Sequence, residues 1–179
     1  MLAPMPALAA TRSPLGLLAR ARGADPVRVI LLAPPIFAAH VAEEAPGFVS
    51  WFNARVTPDI SAPLFFGVNG TALVITVAVA LLAASSRDAA AALVALAWLS
   101  FLMLANGVFH VTATLVDARY CPGTVTGALL YLPFGIWFAL LVRRRYGVAP
   151  WLIGLVALAG AAPMLAHCYL IVFRGSRLF

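Results

Sequence analysis

The sequence contains no lysine and few charged residues of any kind. Charged residues make up 10% of the 179-residue chain and hydrophobic residues 64%, whereas soluble domains usually carry ~25% charged residues. A soluble protein of this size could not bury so much apolar surface in one core, so the composition predicts that lipid surrounds much of the chain. The cations are all arginine, and they lie in short clusters between apolar runs. That pattern is typical of the ends of membrane helices rather than of a nucleic-acid-binding surface.

Cysteine is also scarce, which excludes a disulfide-rich scaffold. The two cysteines are Cys121 and Cys168, and no CxxC motif is present. A disulfide between them on the outer side of the membrane stays open at this point. The start of the chain lacks the charged-then-apolar order of a signal peptide. We therefore interpret residues 1–26 as a cytoplasmic N-terminal arm, 27–173 as a transmembrane helical bundle and 174–179 as a short basic tail.

Long apolar runs predict an all-α integral membrane bundle with about five transmembrane helices. A helix needs about 20 mostly apolar residues to cross the hydrocarbon layer. The segments that qualify are residues 27–45, 63–84, 89–116, 128–142 and 150–173. The first is the weakest, because Pro34 and Pro35 should kink it and it is followed directly by Pro46-Gly47. Without it, the chain would cross the membrane four times.

The distribution of arginine predicts the direction of these crossings. With the N-terminus in the cytoplasm, eight of the twelve arginines face inward, including the cluster Arg143, Arg144 and Arg145. The segments 47–62 and 117–127 then become outer loops. We expect a multi-pass protein of the bacterial cytoplasmic (inner) membrane.

Polar side chains inside the apolar runs are few, and such residues are costly enough to be functional-site candidates. They are His40, Glu43, Glu44, Asn69, Asn106, His110 and His167. With a rise of ~1.5 Å per residue, the three histidines lie at similar depths, roughly 8 to 9 Å below the outer ends of their helices. Spacings of three and four residues also place both glutamates on one helix face with His40, and Asn106 on one face with His110. We therefore predict one shared site in the outer half of the bilayer.

Three short motifs occur in order along the chain. The runs are His40-Val-Ala-Glu43-Glu44, Asn106-Gly-Val-Phe-His110 and Tyr120-Cys-Pro122-Gly123. Together they resemble the HXXEE domain family, which is recognised by an HxxEE motif, a further histidine and a YxPG motif. The resemblance extends from about residue 34 to the end of the fifth segment and implies a small multi-helix membrane protein. It marks the named residues of these motifs, apart from Asn106, as motif positions, but it implies no particular activity.

A cluster of histidine and carboxylate ligands suits zinc or non-haem iron. We favour a divalent metal, zinc, held by His40, His110, His167 and either Glu43 or Glu44. The other carboxylate would act as a general base on a metal-bound water, and Asn106 and Tyr120 are further candidate catalytic residues. The expected substrate is a membrane lipid or lipophilic small molecule that enters laterally from the bilayer. We expect no nucleic-acid partner, and the oligomeric state stays open.

Other functions fit the same residues. Without a metal, two adjacent carboxylates beside a histidine would form an acid–base pair that isomerises or cyclises a lipid or terpenoid. Intramembrane acids and histidines also occur in transporters, and a purely structural membrane protein is a further alternative. The Tyr120–Gly123 run has the chemistry of a tight turn, which would either be structural only or carry Tyr120 to the site.

Overall fold

The computed structural model describes residues 25–178, which form helices joined by short loops with no β-strand among them. A first segment consists of α1 (Pro26–Val29), a 3-10 turn (Ile30–Leu32) and α2 (Ala33–Glu44), and a short helix α3 (Phe48–Asn53) follows. The rest of the fold is built from α4 (Ala62–Ser86), α5 (Ala89–Asp117), α6 (Thr124–Tyr146) and α7 (Pro150–Arg174). The predicted all-helical bundle is confirmed.

Helices α4 to α7 are the four that are long and apolar enough to cross a membrane, among the residues described. They contain 25, 29, 23 and 25 residues. At ~1.5 Å per residue these helices are roughly 35 to 44 Å long, which exceeds the ~30 Å hydrocarbon core of a bilayer. They correspond to the last four apolar segments predicted from the sequence.

The first predicted crossing is less regular than the other four. Its longest helix, α2, has 12 residues, and Pro34 and Pro35 lie in the first turn of that helix, where proline does not remove a hydrogen bond. The chain changes from 3-10 to α geometry just before these prolines. Helix α1 contacts the later part of α6, and α2 contacts the start of α6. The first segment thus runs antiparallel to α6 along the bundle.

Two stretches of π-helix interrupt the long helices close to the predicted site. They cover Ser100–Ala105 in α5 and Gly127–Tyr131 in α6. Gly107 lies just after the first stretch, and Gly127 begins the second. A Cβ atom on Gly107 would lie 3.1 Å from the carbonyl oxygen of Gly127. The absence of side chains lets α5 and α6 approach closely here. Such π-bulges often occur at functional sites, because they turn the following side chains to a new direction.

The buried side chains form two clusters that meet at the histidines. The larger cluster includes Phe37, Leu96, Leu99, Met103, Tyr131 and Phe138. The smaller cluster includes Phe52, Phe109, Cys121 and Ile171. The ring of His40 packs on Tyr131 of the larger cluster, and the ring of His110 packs on Phe109 of the smaller one. The two histidines are therefore held by aromatic contacts from both sides.

Candidate metal centre

His40, Glu44 and His110 converge at one buried point between α2 and α5. Their ligand atoms all lie within 4.8 Å of one another. Glu44 Oε1 is 3.1 Å from His110 Nε2 and 3.6 Å from His40 Nε2. The four-residue spacing of His40 and Glu44 brings both to one face of α2. Both histidines are completely buried, so these polar atoms have left water and need partners inside the protein.

The hydrogen bonds around His40 indicate which ring nitrogen carries the proton. His40 Nδ1 is 2.7 Å from Thr126 Oγ1, and that hydroxyl donates to Glu43 Oε2 at 2.5 Å. Because its proton points to the carboxylate, the hydroxyl accepts from His40 Nδ1–H. Nε2 then carries a lone pair, which agrees with the donor Asn106 Nδ2 lying 3.3 Å from it. His40 Nε2 therefore acts as an electron-pair donor, with Asn106 Nδ2 at 3.3 Å and Glu44 Oε1 at 3.6 Å.

The surroundings of His110 are compatible with the same tautomer. His110 Nδ1 is 3.4 Å from the sulfur of Cys121, whose S–H donates to the Pro122 carbonyl oxygen at 3.7 Å. Burial, reinforced by the negative charge of Glu44, raises the pKa of Cys121 to about 12, so the sulfur is a protonated thiol. When it accepts from His110 Nδ1–H in this way, a lone pair is left on Nε2. Nε2 lies 3.1 Å from Glu44 Oε1, although the angle is not that of a regular hydrogen bond.

With His110 in the corresponding tautomer, three electron-pair donors lie close together, and the Asn106 N–H group lies beside one of them, His40 Nε2. Such an arrangement is repulsive unless a proton or a cation lies among the three atoms. In a tetrahedral site with bonds of ~2.1 Å, neighbouring ligand atoms are ~3.4 Å apart. Two of the three separations, 3.1 and 3.6 Å around Glu44 Oε1, are close to that value, and the third, between the two histidines, lies within the 4.8 Å span of the group. The three residues could therefore hold a metal ion, with Thr126 and Glu43 orienting His40 as outer partners commonly do.

Glu43 has a different environment from its neighbour Glu44. Its carboxylate accepts hydrogen bonds from Tyr120 OH at 2.6 Å, from the backbone N–H groups of Val125 and Thr126 at 2.9 and 2.7 Å, and from the Thr126 hydroxyl. The N–H groups belong to the first turn of α6, which would otherwise lack partners. Glu43 therefore joins α2 to the start of α6.

The contact between Glu43 and Tyr120 favours one charge state of each group. The hydrogen bonds that Glu43 accepts from Tyr120, Thr126 and the backbone stabilise its ionised form. Partial burial and the nearby carboxylate raise the pKa of Tyr120 to about 12. Glu43 is thus ionised and Tyr120 protonated throughout the physiological range. This charge state favours a positioning role for Glu43 over that of a base.

Gly123 closes the turn that covers both histidines. Its φ of +100° belongs to the region that favours glycine, and a Cβ atom would lie 2.6 Å from His110 Cε1 and 2.9 Å from His40 Cε1. The preceding Pro122 contacts the backbone at Gly47, where a Cβ atom would be 3.2 Å from the proline ring. The Tyr120–Gly123 run is therefore a tight turn and also carries Tyr120 to Glu43.

The remaining predicted residues are distributed around this group. Asn106 contacts His40, whereas Asn69 donates to the Phe65 carbonyl within its own helix. His167 does not belong to the three-residue group; its Nδ1 accepts a hydrogen bond from the Leu178 backbone at 3.2 Å. Thr126 and Cys121 were not predicted from the sequence. Cys121 lies inside the YxPG motif, which could have drawn attention to it, but hydroxyl residues such as Thr126 are common in membrane helices.

A cavity of about 240 Å³ opens beside Glu44. Helices α2, α3, α4, α5 and α7 contribute its walls, which are mainly aromatic and aliphatic. Its polar lining residues are Glu44, Asn69, Asn106, His167 and Arg177. Leu64 and Val68 of α4 also line it and are 46% and 57% exposed. The cavity therefore reaches the lateral surface of the bundle next to α4.

Both cysteines are free thiols, so the conceivable Cys121–Cys168 disulfide is absent.

The fold and the site together define a helical bundle of the membrane type with a buried His–His–Glu group that could hold a metal ion. The family described as "Protein of unknown function with HXXEE motif" matches residues 31–138, and the chain belongs to this family. The matched region contains all three motifs that meet around the site. No curated protein and no solved structure matches the chain.

Proposed function

We propose that the protein is a membrane-embedded, metal-dependent enzyme that acts on a lipophilic substrate in the outer half of the bacterial cytoplasmic membrane. The main support is the position of Glu44. This residue contributes one of three converging lone-pair atoms and also lines the apolar cavity. A metal ion held by the group would therefore adjoin the space that a substrate can occupy.

The number and kind of ligands favour a catalytic over a structural metal. Structural zinc sites are usually closed by four protein ligands, whereas catalytic sites have three, often two histidines and a glutamate, and leave one place for water or substrate. His40, His110 and Glu44 form such a set. A bound metal would supply Lewis acidity and a more acidic water. The same donors also suit non-haem Fe(II), so the metal has to be identified by elemental analysis.

The other motif residues then have distinct tasks. Thr126 and Glu43 fix the orientation and tautomer of His40, and Cys121 contacts Nδ1 of His110 and holds its ring in place. Asn106 lines the cavity next to His40 and is the side chain best placed to orient a polar group of the substrate. The apolar walls exclude water and favour a lipophilic molecule, which would enter past Leu64 and Val68 on the lateral surface.

Metal content tests this proposal directly. The protein is purified in detergent, equilibrated with Zn²⁺, freed of excess metal and analysed by inductively coupled plasma mass spectrometry. We expect about one metal ion per chain in the wild type and loss of most of it in Glu44→Gln and His110→Ala. His167→Ala is the matched control, since this histidine lines the same cavity outside the group, and it should retain the metal. A wild type without stoichiometric metal would refute the proposal.

The enzymatic part needs a separate measurement. Lipid extracts of cells that express the wild type and Glu44→Gln at equal levels are compared by untargeted mass spectrometry. We expect a lipophilic product that accumulates only with the wild type. Identical lipid profiles, together with a bound metal, would indicate a metal-binding membrane protein without this activity.

A metal-free acid–base isomerase or cyclase is the second candidate. It is supported by the 3.1 Å separation of Glu44 Oε1 and His110 Nε2, which is short enough for the two atoms to share a proton. Glu44 would then donate that proton to a substrate double bond in the cavity. This candidate predicts a product that forms in the presence of chelators and is lost in Glu44→Gln, from a protein that carries no metal.

A further inference from the structure

Arg177 contributes a positive charge to the wall of the same cavity. Its side chain is partly buried, just beyond the end of α7. The ion pairs formed by residues 25–178 involve His40, His110 and Arg55, and none of them reaches Arg177. Within this part of the chain, the guanidinium therefore has no carboxylate partner.

The rest of the cavity cannot neutralise this charge. Most lining residues are apolar, including Phe65, Val68, Phe101 and Met164. The one acid in the wall, Glu44, is already engaged with the two histidines. A cation beside apolar walls attracts an anion more strongly than it would in water, because the local dielectric constant is low. Charge complementarity therefore points to a negatively charged group in the ligand.

The size of the cavity limits how much of that ligand it can enclose. Pockets that enclose drug-sized molecules usually measure ~300 to 1,000 Å³. The cavity here, at about 240 Å³, would hold only one end of a long molecule. Leu64 and Val68 at the lateral opening would let an apolar chain remain among the lipids.

We infer that the substrate is an anionic amphiphile, a carboxylate or phosphate monoester on an apolar chain, whose anionic group binds Arg177. The segment next to that group would then lie in the apolar cavity that extends to Glu44. This inference rests on the proposed function for the statement that the ligand is a substrate. The binding of the anion by Arg177 can be tested without any activity.

The test compares charged and uncharged probes of the same chain length. Purified protein in a non-ionic detergent is titrated at pH 8.5 with radiolabelled lauric acid, lauryl phosphate and methyl laurate. We expect at least one of the two anions to bind about tenfold or more tightly than the uncharged ester, which corresponds to ~1.4 kcal/mol. The anion with the larger preference distinguishes a carboxylate from a phosphate substrate.

Variants assign this preference to Arg177. Arg177→Gln should abolish it, and Arg177→Lys should retain most of it. Arg174→Gln is the matched control, because this exposed arginine at the end of α7 is three residues away and does not line the cavity; it should behave like the wild type. Equal binding of ester and anions by the wild type would overturn the inference. Equal loss in Arg174→Gln and Arg177→Gln would also overturn it, because the anions would then be responding to general surface charge.

Metal analysis of the same samples separates the two proposals. Arg177→Gln should keep its metal, and Glu44→Gln should lose the metal but keep the preference for anions. A metal-free wild type with Arg177-dependent anion binding would refute the proposed function alone. A metal-loaded wild type without that preference would refute the inference alone.

Discussion

Gly123, in the third motif, packs directly against the histidines of the other two motifs. Its missing side chain leaves the space that the rings of His40 and His110 occupy, and its φ of +100° forms the turn that carries Tyr120 to Glu43. A larger residue would have to displace a histidine ring or abandon the turn. Glycine is therefore required at this position of the YxPG motif both by the packing of the two histidine rings and by the backbone conformation of the turn.

Replacement of this glycine should therefore disturb stability and metal binding together. Gly123→Ala should lower the free energy of unfolding by roughly 1 to 3 kcal/mol, the usual cost of a strained backbone conformation, and should reduce metal content. Thermal unfolding in detergent and elemental analysis would measure both effects. Gly67→Ala is the control, because a Cβ atom there meets nothing within 4 Å and the residue lies inside α4. Unchanged stability and metal content in Gly123→Ala would contradict this account.

The sequence predicted the three residues that meet at the site, but it did not predict the direction in which every histidine points. The motifs identified His40, Glu44 and His110, which the structure brings together. Helix periodicity correctly predicted that His40 and Glu44 share one face of α2, and it also placed Asn106 and His110 on one face of α5. The depth of a residue along its helix, however, does not determine the direction in which its side chain points. His167 was therefore grouped with the other histidines by depth, whereas it lines the cavity outside the three-residue group.

Helix α6 begins with a cap from another element. The carboxylate of Glu43, at the end of α2, accepts hydrogen bonds from two backbone N–H groups of the first turn of α6. Capping residues usually lie in the chain just before their helix, as Ser61 and Asp88 do for α4 and α5. Glu43 instead stabilises α6 only when the first segment is docked. Formation of α6 and docking of α2 should therefore be coupled.

Removal of this cap should destabilise the bundle. Glu43→Gln should unfold at a lower denaturant concentration than the wild type at pH 7, because a neutral amide accepts hydrogen bonds from the N–H groups of Val125 and Thr126 less strongly than a carboxylate does. Asp59→Asn, in the exposed loop before α4, is the matched control and should unfold like the wild type. Equal unfolding of Glu43→Gln and the wild type would contradict the assignment.

Hydropathy predicted the long helices well because the requirement to fill a bilayer strongly constrains length and composition. The predicted segments 63–84 and 150–173 lie within α4 and α7. The π-helical stretches were not predicted, since Ser100–Ala105 and Gly127–Tyr131 have the same apolar composition as an ordinary membrane helix. They depend on contacts between α5 and α6, which a single sequence does not reveal.

Across the whole molecule, the first segment determines how many times the chain crosses the membrane. It is shorter and less regular than the four long helices, yet it runs antiparallel to α6 and contributes both His40 and Glu44. If it crosses, Asp25 lies on the same side as the turn between α4 and α5. The loop between α3 and α4 then lies on the opposite side, as the distribution of arginine predicts.

Labelling with a membrane-impermeant maleimide distinguishes five crossings from four. Both native cysteines are first replaced by alanine, and a single cysteine is introduced by Asp25→Cys, Asp59→Cys or Ser86→Cys. In intact spheroplasts we expect labelling of Asp59→Cys only, because its loop faces outward, whereas the other two should react only after permeabilisation. Asp25→Cys that reacts in intact spheroplasts, with Ser86→Cys still protected, would mean that the first segment does not cross. His40 and Glu44 would then belong to a segment that returns to the outer surface, and the metal site would have to be assembled without a fifth transmembrane helix.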